Sequence, residues 1–348
     1  MIGIGIIGYG YWGPNLVRNF METPGCQVTA VAEPRAAQLA RMSARYPGIQ
    51  AFGTAEELIA SPAVDFVIIA TPVATHFALA MAALKAGKHV LVEKPMTATS
   101  LEALALVEEA ERRGLMLAVD HTFLFTGAVR KIRQLVQDGA LGDIYYYDSV
   151  RVNLGLFQRD VNVIWDLAVH DLAILDYVLR QTPVSVSAHA SGHVAGEPED
   201  IAYLTINFAS NLIGHLHVNW LAPVKVRRTL IGGSQKMVVY DDLEPSEKVK
   251  VYDKGITVNG ANANGNGNGE KYRLLVGYRA GDMWAPQLDM AEALGVEAKH
   301  LIGCIERGEA PLCDGQAGLR VVRILEAASE SLRAGGQLIE LGSLPCLA

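Results

Sequence analysis

A glycine-rich turn near the start of the chain has the spacing of a dinucleotide-binding site. The stretch GIIGYGYWG, residues 5–13, places Gly8, Gly10 and Gly13 as GxGxxG between an apolar run and a segment of helical periodicity. At this spacing the first glycine permits a tight turn, the second lets the backbone approach a pyrophosphate, and the third lets the helix pack closely on the strand. The N–H groups that open the helix would face the phosphate charge. A glycine-rich turn with a purely structural role would show the same pattern.

A carboxylate at the expected interval strengthens the cofactor interpretation. Glu33 ends the next apolar run, about 20 residues after Gly13, where a carboxylate can accept hydrogen bonds from the ribose hydroxyls of adenosine. Because Glu33 would repel a 2′-phosphate, the sequence favours NAD over NADP. Arg35 leaves NADP open, since its guanidinium could either stack on the adenine or pair with a 2′-phosphate. Tyr11 and Trp12, inside the glycine-rich turn, are further candidates for cofactor contact.

Two more polar stretches follow apolar runs at places where strands should end. They are IIATPVATH, residues 68–76, and VLVEKPM, residues 90–96. Ligands of open α/β sheets collect at the carboxyl ends of the strands, and Lys94 at such an end could stabilise a developing alkoxide. The first stretch could instead be an ordinary strand-to-helix loop with Thr75 as its N-cap. The candidates for cofactor contact in the two stretches are Thr71, Pro72, His76, Glu93 and Lys94.

An acid and a histidine stand four residues apart in the second half of the chain. Asp166 and His170 belong to WDLAVHD, residues 165–171, and on a helix they would share one face. An imidazole in this arrangement can remove a hydroxyl proton, while the carboxylate binds substrate or tunes the imidazole. The pattern alone favours a local Asp–His pair that has no catalytic role over a catalytic pair.

Together these motifs resemble a known enzyme family. GIIGYGYWG, ATPVATH, VLVEKP and WDLAVHD are similar to the motifs of the Gfo/Idh/MocA oxidoreductases, named after glucose-fructose oxidoreductase and inositol dehydrogenase. The resemblance covers nearly the whole chain, and EKP is its most specific mark. It implies an N-terminal Rossmann domain and a second α/β domain whose large, mostly antiparallel sheet faces the nicotinamide and often supplies the oligomer interface.

The resemblance also implies roles for particular residues. Lys94 matches the catalytic lysine of the family, and Pro95 after it often follows a cis bond in relatives. Asp166 and His170 match an acid and a histidine that lie in front of the nicotinamide. His170 would take the proton from a secondary alcohol and Lys94 would stabilise the oxygen while the hydride passes to the nicotinamide. Ala168 stands where the family often has glycine, which leaves the fine shape of the substrate pocket open.

The substrate is suggested by polar residues around the proposed catalytic segment. Amides, a guanidinium and an aromatic ring suited to a polyhydroxylated ring occur at Asn153, Arg159, Asn162 and Trp165. Lys225 and Arg227 add cations that could meet a diphosphate, whereas Arg228 should face the opposite side of its strand. WDLAVHD, PVKVRRTLIGG and YRAGDMWAP are similar to family members that oxidise the 3-hydroxyl of nucleotide-linked sugars. The resemblance therefore implies an NAD-dependent sugar or sugar-nucleotide 3-dehydrogenase, with NADP possible.

Other functions remain open at this stage. A 3-ketosugar reductase, an inositol dehydrogenase or an NAD-dependent glycosidase of the same family would use the same residues. A dinucleotide-binding regulator, from a different functional class, would keep GxGxxG but would need neither Lys94 nor His170, so their presence argues against it.

The elements that must position these residues can be predicted from hydrophobic periodicity. In the first third, apolar runs alternate with helical stretches, which predicts a doubly wound parallel sheet. After residue 122 closely spaced runs without intervening helices predict a large, mostly antiparallel sheet, partly covered by helices over Trp165–Leu179, Met290–Arg307 and Gly315–Arg333. We therefore predict a Rossmann domain at 1–122 and a substrate-binding and oligomerisation α+β domain at 123–348. The Asn/Gly tract at residues 259–269 predicts a loop tip.

Composition narrows the possible functions. The 348 residues carry a formal net charge of −7 and no long basic run, which argues against nucleic-acid or acidic-membrane binding as the main role. The four cysteines, Cys26, Cys304, Cys313 and Cys346, are scattered, and no HExxH or Cys/His cluster appears, so we expect no metal and a reducing compartment. No apolar run approaches a membrane span and no leader is evident. We expect a cytoplasmic homodimer or homotetramer.

Overall fold

The computed structural model describes residues 1–155, 161–259 and 275–342. Arg159, Cys346 and nearly all of the Asn/Gly tract therefore lie outside the described residues. The sequence predicted two sheets, and both are present among the described residues. The parts of the chain that bring the motifs together are the carboxyl ends of the first sheet and the helices that cross between the two sheets.

The first sheet is parallel and doubly wound. Six strands lie in the order β3-β2-β1-β4-β5-β6, so the direction of winding reverses between β1 and β4. Their apolar residues are buried on both faces, as expected for a parallel sheet covered by helices. The elements are β1 Ile2–Ile7, α1 Gly13–Met21, β2 Cys26–Ala32, α2 Ala36–Arg45, β3 Gln50–Phe52, α3 Ala55–Ala60, β4 Phe66–Ile69, α4 Val73–Lys85, β5 His89–Glu93, α5 Ser100–Arg113 and β6 Leu117–Asp120.

A second, nine-stranded sheet follows a short connection. The connection contains a 3₁₀ turn at Thr122–Phe125 and the helix α6 Gly127–Gln137, and it leads into the first strand of this sheet, β7 Ile144–Leu154. A π-helical turn at Ile164–Ala168 leads into α7 Val169–Leu179. The remaining elements are β8 Pro183–Ser191, β9 Ile201–Phe208, β10 Ile213–Asn219, β11 Leu221–Gly233, β12 Met237–Asp241, β13 Val249–Tyr252, β14 Gly255–Asn259, β15 Leu275–Arg279, β16 Met283–Trp284, α8 Ala293–Arg307, α9 Gly315–Arg333 and β17 Ile339–Glu340.

The second sheet is mixed. Its order is β16-β13-β12-β11-β7-β10-β9-β8-β17, and the pairing is antiparallel except between β7 and β10. The mostly antiparallel sheet predicted from the closely spaced apolar runs is thus confirmed. β14 and β15 form a separate two-stranded sheet.

The last two helices join the sheets into one packed body. α9 packs against β8 of the second sheet and also against α5 and β6 of the first, while α8 packs against α1. One cluster of buried apolar side chains accordingly runs from Phe20 on α1 and Phe66 on β4 to Val218 on β10 and Leu301 on α8. This continuous core fixes the relative position of the two sheets, and with it the cleft between them.

Among the described residues no helix is both long and apolar enough to cross a membrane, and no three histidine, cysteine or acidic side chains are grouped to bind a metal ion. Cys26, Cys304 and Cys313 are buried free thiols.

Candidate active site

The glycine-rich turn leaves room for a ligand above Gly10. Gly8 has φ +98°, and a Cβ there would lie 2.3 Å from the carbonyl oxygen of Ala70. A Cβ on Gly13 would lie 2.3 Å from the carbonyl oxygen of Gly8. Among the described residues, the only atom within 4 Å of a Cβ on Gly10 is a terminal nitrogen of Arg35, at 3.3 Å, which belongs to a flexible side chain. Backbone packing therefore requires two of the glycines, and the third leaves the backbone open to an approaching phosphate.

The start of α1 is prepared for an anion. Trp12 is the N-cap residue and Pro14 stands in the first turn, which contains no acid. Within residues 1–155 no side chain caps the helix, Pro14 has no N–H, and the N–H of Asn15 bonds to the Trp12 carbonyl oxygen at 2.9 Å, so the Gly13 N–H is the candidate donor to a ligand phosphate. The indole Nε1 of Trp12 donates to Asp120 Oδ2 at 2.9 Å, which ties the turn to the end of β6. Tyr11 beside it is 89% exposed.

Glu33 is held in place by Arg35 at the end of β2. Arg35 donates from Nε to Oε1 at 2.7 Å and from a terminal nitrogen to Oε2 at 2.9 Å. The backbone N–H groups of Tyr9 and Arg35 donate to the same carboxylate at 2.8 and 3.0 Å. These bonds, led by the Arg35 side chain, lower the pKa of Glu33 from 4.5 to about 2. Glu33 is therefore an anion with four donors, at the position where a ribose would bind.

The loop after β4 is connected to the EKP segment by a buried histidine. The ring nitrogens of His76 lie 2.9 Å from the carbonyl oxygen of Pro95 and 2.8 Å from that of Thr71. His76 is 1% exposed, so its position holds two loops together at the carboxyl ends of β4 and β5. Thr71 contacts Thr75 through their hydroxyls, Pro72 is exposed, and the peptide bond before Pro95 is cis.

Lys94 and Asp166 form an ion pair between the two sheets. Lys94 Nζ donates to Asp166 Oδ1 at 3.1 Å and to the Asp166 carbonyl oxygen at 3.0 Å. The second carboxylate oxygen of Asp166 accepts from the indole Nε1 of buried Trp220 at 3.1 Å. The end of β5 is thereby fixed to the segment that carries WDLAVHD.

The helix that carries Asp166 and His170 begins with a π turn. The sequence predicted one helix over Trp165–Leu179, whereas the first turn, Ile164–Ala168, is π-helical and the α-helix begins at Val169. Asn162 caps this turn, since its side-chain oxygen accepts from the N–H groups of Ile164 and Trp165 at 3.2 and 3.3 Å. Single π turns are frequent at functional sites, because they redirect side chains within a helix.

His170 lies among cations and an aromatic ring. Its ring meets the Phe123 ring edge-to-face with centroids 5.0 Å apart. Arg151 and Arg227 lie 4.6 and 5.5 Å from the Phe123 centroid. Burial, and next the charge of Lys94, hold the pKa of His170 well below its ordinary 6.5, with Arg151 and Arg227 contributing in the same direction. The imidazole is therefore neutral at pH 7 and able to accept a proton.

A buried ion pair between β7 and α7 helps to fix the position of His170. Arg151 on β7 donates from Nε to Asp171 Oδ2 at 2.7 Å and from a terminal nitrogen to Oδ1 at 3.1 Å. Both side chains are almost completely buried. Asp171 directly follows His170, so the pair fixes the start of α7 against the second sheet and places the Arg151 guanidinium over Phe123.

These side chains surround a cleft of about 550 Å³, a size suited to a small-molecule ligand. The predicted residues that line it are Tyr11, Trp12, Glu93, Lys94, Asp166, His170 and Arg227. Five other lining residues were not predicted, which are Asp120, Thr122, Phe123, Thr126 and Ala293. The cleft thus combines the turn before α1, the ends of β5 and β6, and the start of α7.

Comparison with known proteins matches the two halves of the chain to two domains of one enzyme family. Residues 2–121 match the family model described as "Oxidoreductase family, NAD-binding Rossmann fold", and residues 129–239 match the "GFO/IDH/MocA C-terminal domain". Together the two models cover more than half of the chain. The chain belongs to the Gfo/Idh/MocA oxidoreductase family.

Two relatives of this Gfo/Idh/MocA protein and one solved structure have informative names. The UDP-N-acetylglucosamine 3-dehydrogenase of Acidithiobacillus ferrooxidans is 29% identical over 91% of this chain and 93% of its own length. The scyllo-inositol 2-dehydrogenase (NADP⁺) IolW of Bacillus subtilis is 26% identical over 95% and 93%. The solved structure of the Acidithiobacillus ferrooxidans UDP-N-acetylglucosamine 3-dehydrogenase GnnA superposes with a TM-score of 0.78, at 26% identity, over 96% of this chain and 99% of that one.

The Gfo/Idh/MocA protein is an oxidoreductase with an NAD-binding Rossmann domain, so the family, fold and cofactor class predicted from the sequence are confirmed. The described residues fit the cofactor, because the opening above Gly10, the uncapped start of α1 and the anionic Glu33 lie along the carboxyl edge of the first sheet. Lys94 lies further along the same edge, directly after β5, and it lines one cleft with His170 of α7.

Some predicted substrate residues lie elsewhere in the Gfo/Idh/MocA protein. Asn162 and Trp165 line a neighbouring cavity with Val73 and Glu199, and the indole Nε1 of Trp165 donates to Ser329 at 2.9 Å. Asn153 on β7 and Lys225, exposed on β11, do not line the cleft. Arg228 forms an exposed pair with Asp241, away from the cleft that Arg227 lines.

Proposed function

We propose that this protein oxidises a secondary alcohol, the 3-hydroxyl of a sugar or nucleotide-linked sugar, by hydride transfer to NAD. One observation carries the proposal. The Lys94–Asp166 ion pair joins the end of β5 to the start of α7 in the cleft that also contains His170. An ammonium, a carboxylate and a neutral imidazole in one cleft form the set of groups that alcohol oxidation requires.

In this proposal Lys94 stabilises the substrate oxygen. An ammonium has three N–H bonds, and Asp166 accepts two of those of Lys94. The third is available to the substrate oxygen, where the positive charge stabilises the alkoxide that forms as the proton leaves. Asp166 orients the ammonium and in turn is held by Trp220.

His170 is the proposed base. Its lowered pKa keeps the imidazole unprotonated at neutral pH, so it can accept the hydroxyl proton. A bound nicotinamide supplies the hydride acceptor at C4. Tyr11, Trp12, Glu33, Thr71 and the other residues of the glycine-rich turn and the strand ends would hold this cofactor.

The proposed substrate class is supported by the cleft lining and by the relatives. Thr122 and Thr126 donate their hydroxyl protons to Asp120 and to the Phe123 carbonyl oxygen, so their oxygens offer acceptors for substrate hydroxyls. Phe123 offers an aromatic ring beside His170. Arg227, which lines the cleft and pairs with Asp242 at 3.1 Å, offers a cation for a phosphate or carboxylate of the substrate. The matched relative from Acidithiobacillus ferrooxidans is named for the 3-dehydrogenation of UDP-N-acetylglucosamine.

The direct test follows reduced nicotinamide formation with UDP-sugars, free sugars and inositols, each with NAD and NADP. We expect turnover with a sugar or UDP-sugar, and loss of about two to four orders of magnitude in kcat/KM in Lys94→Ala and His170→Ala. Lys85→Ala, exposed in the last turn of α4, and His189→Ala, exposed on β8, are the matched controls. Turnover with inositol alone would refute the sugar assignment, and full activity in His170→Ala would refute its role as base.

The second sheet supports a further part of the proposal, which is that the protein is a homodimer or homotetramer. Tyr203 on β9 and Ile213 on β10 are each about half exposed on the face of the sheet that points away from the helices. Covering this face with a second copy would remove apolar surface from water. Sedimentation velocity measures the mass directly, and a monomer at micromolar concentration would refute the assignment.

A further inference from the structure

Three carboxyl groups meet behind the wall of the cleft. Glu93 and Asp120 are register partners at the ends of β5 and β6, and both line the cleft. Glu297 reaches them from α8, in the other half of the chain, and its side chain is 0% exposed. The proposed reaction uses none of these three groups.

The hydrogen bonds around the three groups are incomplete unless a proton is shared. Both oxygens of Asp120 accept bonds, from Trp12 at 2.9 Å and from Thr122 at 2.5 Å. Among the described residues Glu93 Oε1 and Glu297 Oε2 are buried without any donor. A protonated carboxyl group becomes a donor and can bond its neighbouring carboxylate, which satisfies both groups at once.

The surrounding charges do not neutralise three carboxylates. Lys94 is the facing cation, and it already contacts Asp166. Burial lowers the pKa of His121 to about 4, so this neighbour is uncharged, and burial raises the pKa of the Cys313 thiol that contacts Glu297. Burial, and next the charge of Asp120, raise the pKa values of Glu93 and Glu297 well above 4.5.

We propose that Glu93, Asp120 and Glu297 share a proton in the free protein near neutral pH, and that binding of the oxidised cofactor releases this proton to solvent. The inference rests on the proposed placement of the nicotinamide beside Lys94 and His170. The oxidised nicotinamide ring carries a positive charge, which stabilises the ionised carboxylates, whereas the reduced ring is neutral. The balance is protein·H⁺ plus NAD⁺ giving the protein·NAD⁺ complex plus H⁺, with no covalent change. Glu297 acts here as a positioning residue, through Asp120 and Glu93.

The test measures proton release during binding, without substrate and therefore without turnover. Calorimetric titrations at pH 7 in buffers of different ionisation enthalpy give the number of protons released. With NAD⁺ we expect a fraction of a proton, up to about one per chain, and clearly less with NADH. ADP-ribose, which lacks the nicotinamide, controls for the pyrophosphate and should resemble NADH.

The matched variants are Glu297→Gln and Glu306→Gln, on the same helix. Glu306 is exposed and has no part in the cluster, so its variant should release protons like the wild type. Glu297→Gln should lose about half or more of the difference between NAD⁺ and NADH. Equal release with the two cofactors in the wild type, or an unchanged difference in Glu297→Gln, overturns the proposal.

A second readout does not depend on the variant. Infrared difference spectra of the wild-type protein should show the protonated-carboxyl band decreasing when NAD⁺ binds and not when ADP-ribose binds, and a spectrum without such a loss overturns the proposal. The two proposals can fail separately. Binding of NAD⁺ without proton release refutes the shared proton alone, whereas a protein that binds neither cofactor refutes the proposed function.

Discussion

Replacing Arg35 by alanine should change the choice between NADH and NADPH. In the structure the Arg35 side chain occupies two of the four acceptor positions on Glu33, and the backbone N–H groups of Tyr9 and Arg35 occupy the others. A ribose diol can form hydrogen bonds with Glu33 only when the Arg35 side chain moves away from this carboxylate. A 2′-phosphate can bind only when the Arg35 guanidinium turns toward the phosphate. The Arg35 side chain therefore opposes the binding of NADH and favours the binding of NADPH.

The magnitude follows from the type of bond lost. A charge-assisted bond between guanidinium and phosphate is worth about 1.5–3 kcal/mol, so Arg35→Ala should weaken NADPH binding by about 10-fold to 150-fold. For NADH the variant removes the competing Arg35–Glu33 pair. Because the Arg35 side chain is 57% exposed, that pair is worth about 1 kcal/mol or less, and NADH should bind at most about fivefold more tightly.

The assay is a fluorescence titration of each reduced cofactor, reported as the ratio of the two dissociation constants. The ratio cancels contributions that are common to both cofactors, and it should shift toward NADH by about tenfold or more. Arg41→Ala, which removes an exposed arginine from the same helix α2, is the control and should leave the ratio unchanged. An unchanged ratio in Arg35→Ala would refute the role assigned to the guanidinium.

The pKa of Glu33 gives a second readout of the same contact. The folded pKa is depressed from 4.5 to about 2, so the stabilisation is present above pH 4.5 and is lost as the pH falls toward 2. The shift corresponds to about 3 kcal/mol at most, reduced to about 1 kcal/mol by the solvent screening of exposed Arg35. As the pH falls from 4.5 toward 2, the free energy of unfolding, measured with urea, should therefore decrease less in Arg35→Ala than in the wild type.

Two further variants test the support of the cleft. Asp171→Ala leaves Arg151 as a buried, unpaired charge and should lower the free energy of unfolding by about 3–5 kcal/mol. The double variant Arg151→Met/Asp171→Leu removes both charges and should lower it by less. Equal losses of the two variants in urea unfolding would contradict this reasoning. Trp220→Phe removes the donor to Asp166 and should lower kcat/KM by about tenfold, with Trp284→Phe, an exposed tryptophan, as the control. An unchanged kcat/KM in Trp220→Phe would show that the indole does not orient Asp166.

Much of the first sheet could be predicted because its signals are local. Each long strand is a continuous apolar run and each long helix repeats its apolar residues at three and four. β3 and α3 were not predicted, because segments of 3 and 6 residues are too short to show a period. A cap signal for α3 was present, since Thr54 accepts from the N–H of Glu57, three residues later.

The cleft residues that were not predicted differ in how clearly the sequence indicates them. Asp120 ends β6 as Glu93 ends β5, so the reasoning that selected Glu93 would also have selected Asp120. Phe123 and Thr126 follow in the same connection, and their nearness to His170 depends on how α7 packs. Glu297 carries no signal in the sequence, because nothing in the helical pattern of α8 indicates an acid that points into a buried cluster.

The order of residues along the chain determined the chemistry that is available. Glycine spacing, an acid after the second strand, a lysine after the fifth, and an acid and a histidine four residues apart are all local facts, and together with the family resemblance they indicated cofactor and reaction class. Only the tertiary structure decided which of these groups meet. Lys94 and Asp166 are 72 residues apart in the chain and form an ion pair because α8 and α9 pack the two sheets against one cleft. The protonation of buried groups such as His170 and Glu297 depends on desolvation and on neighbours distant in sequence, which no local pattern encodes.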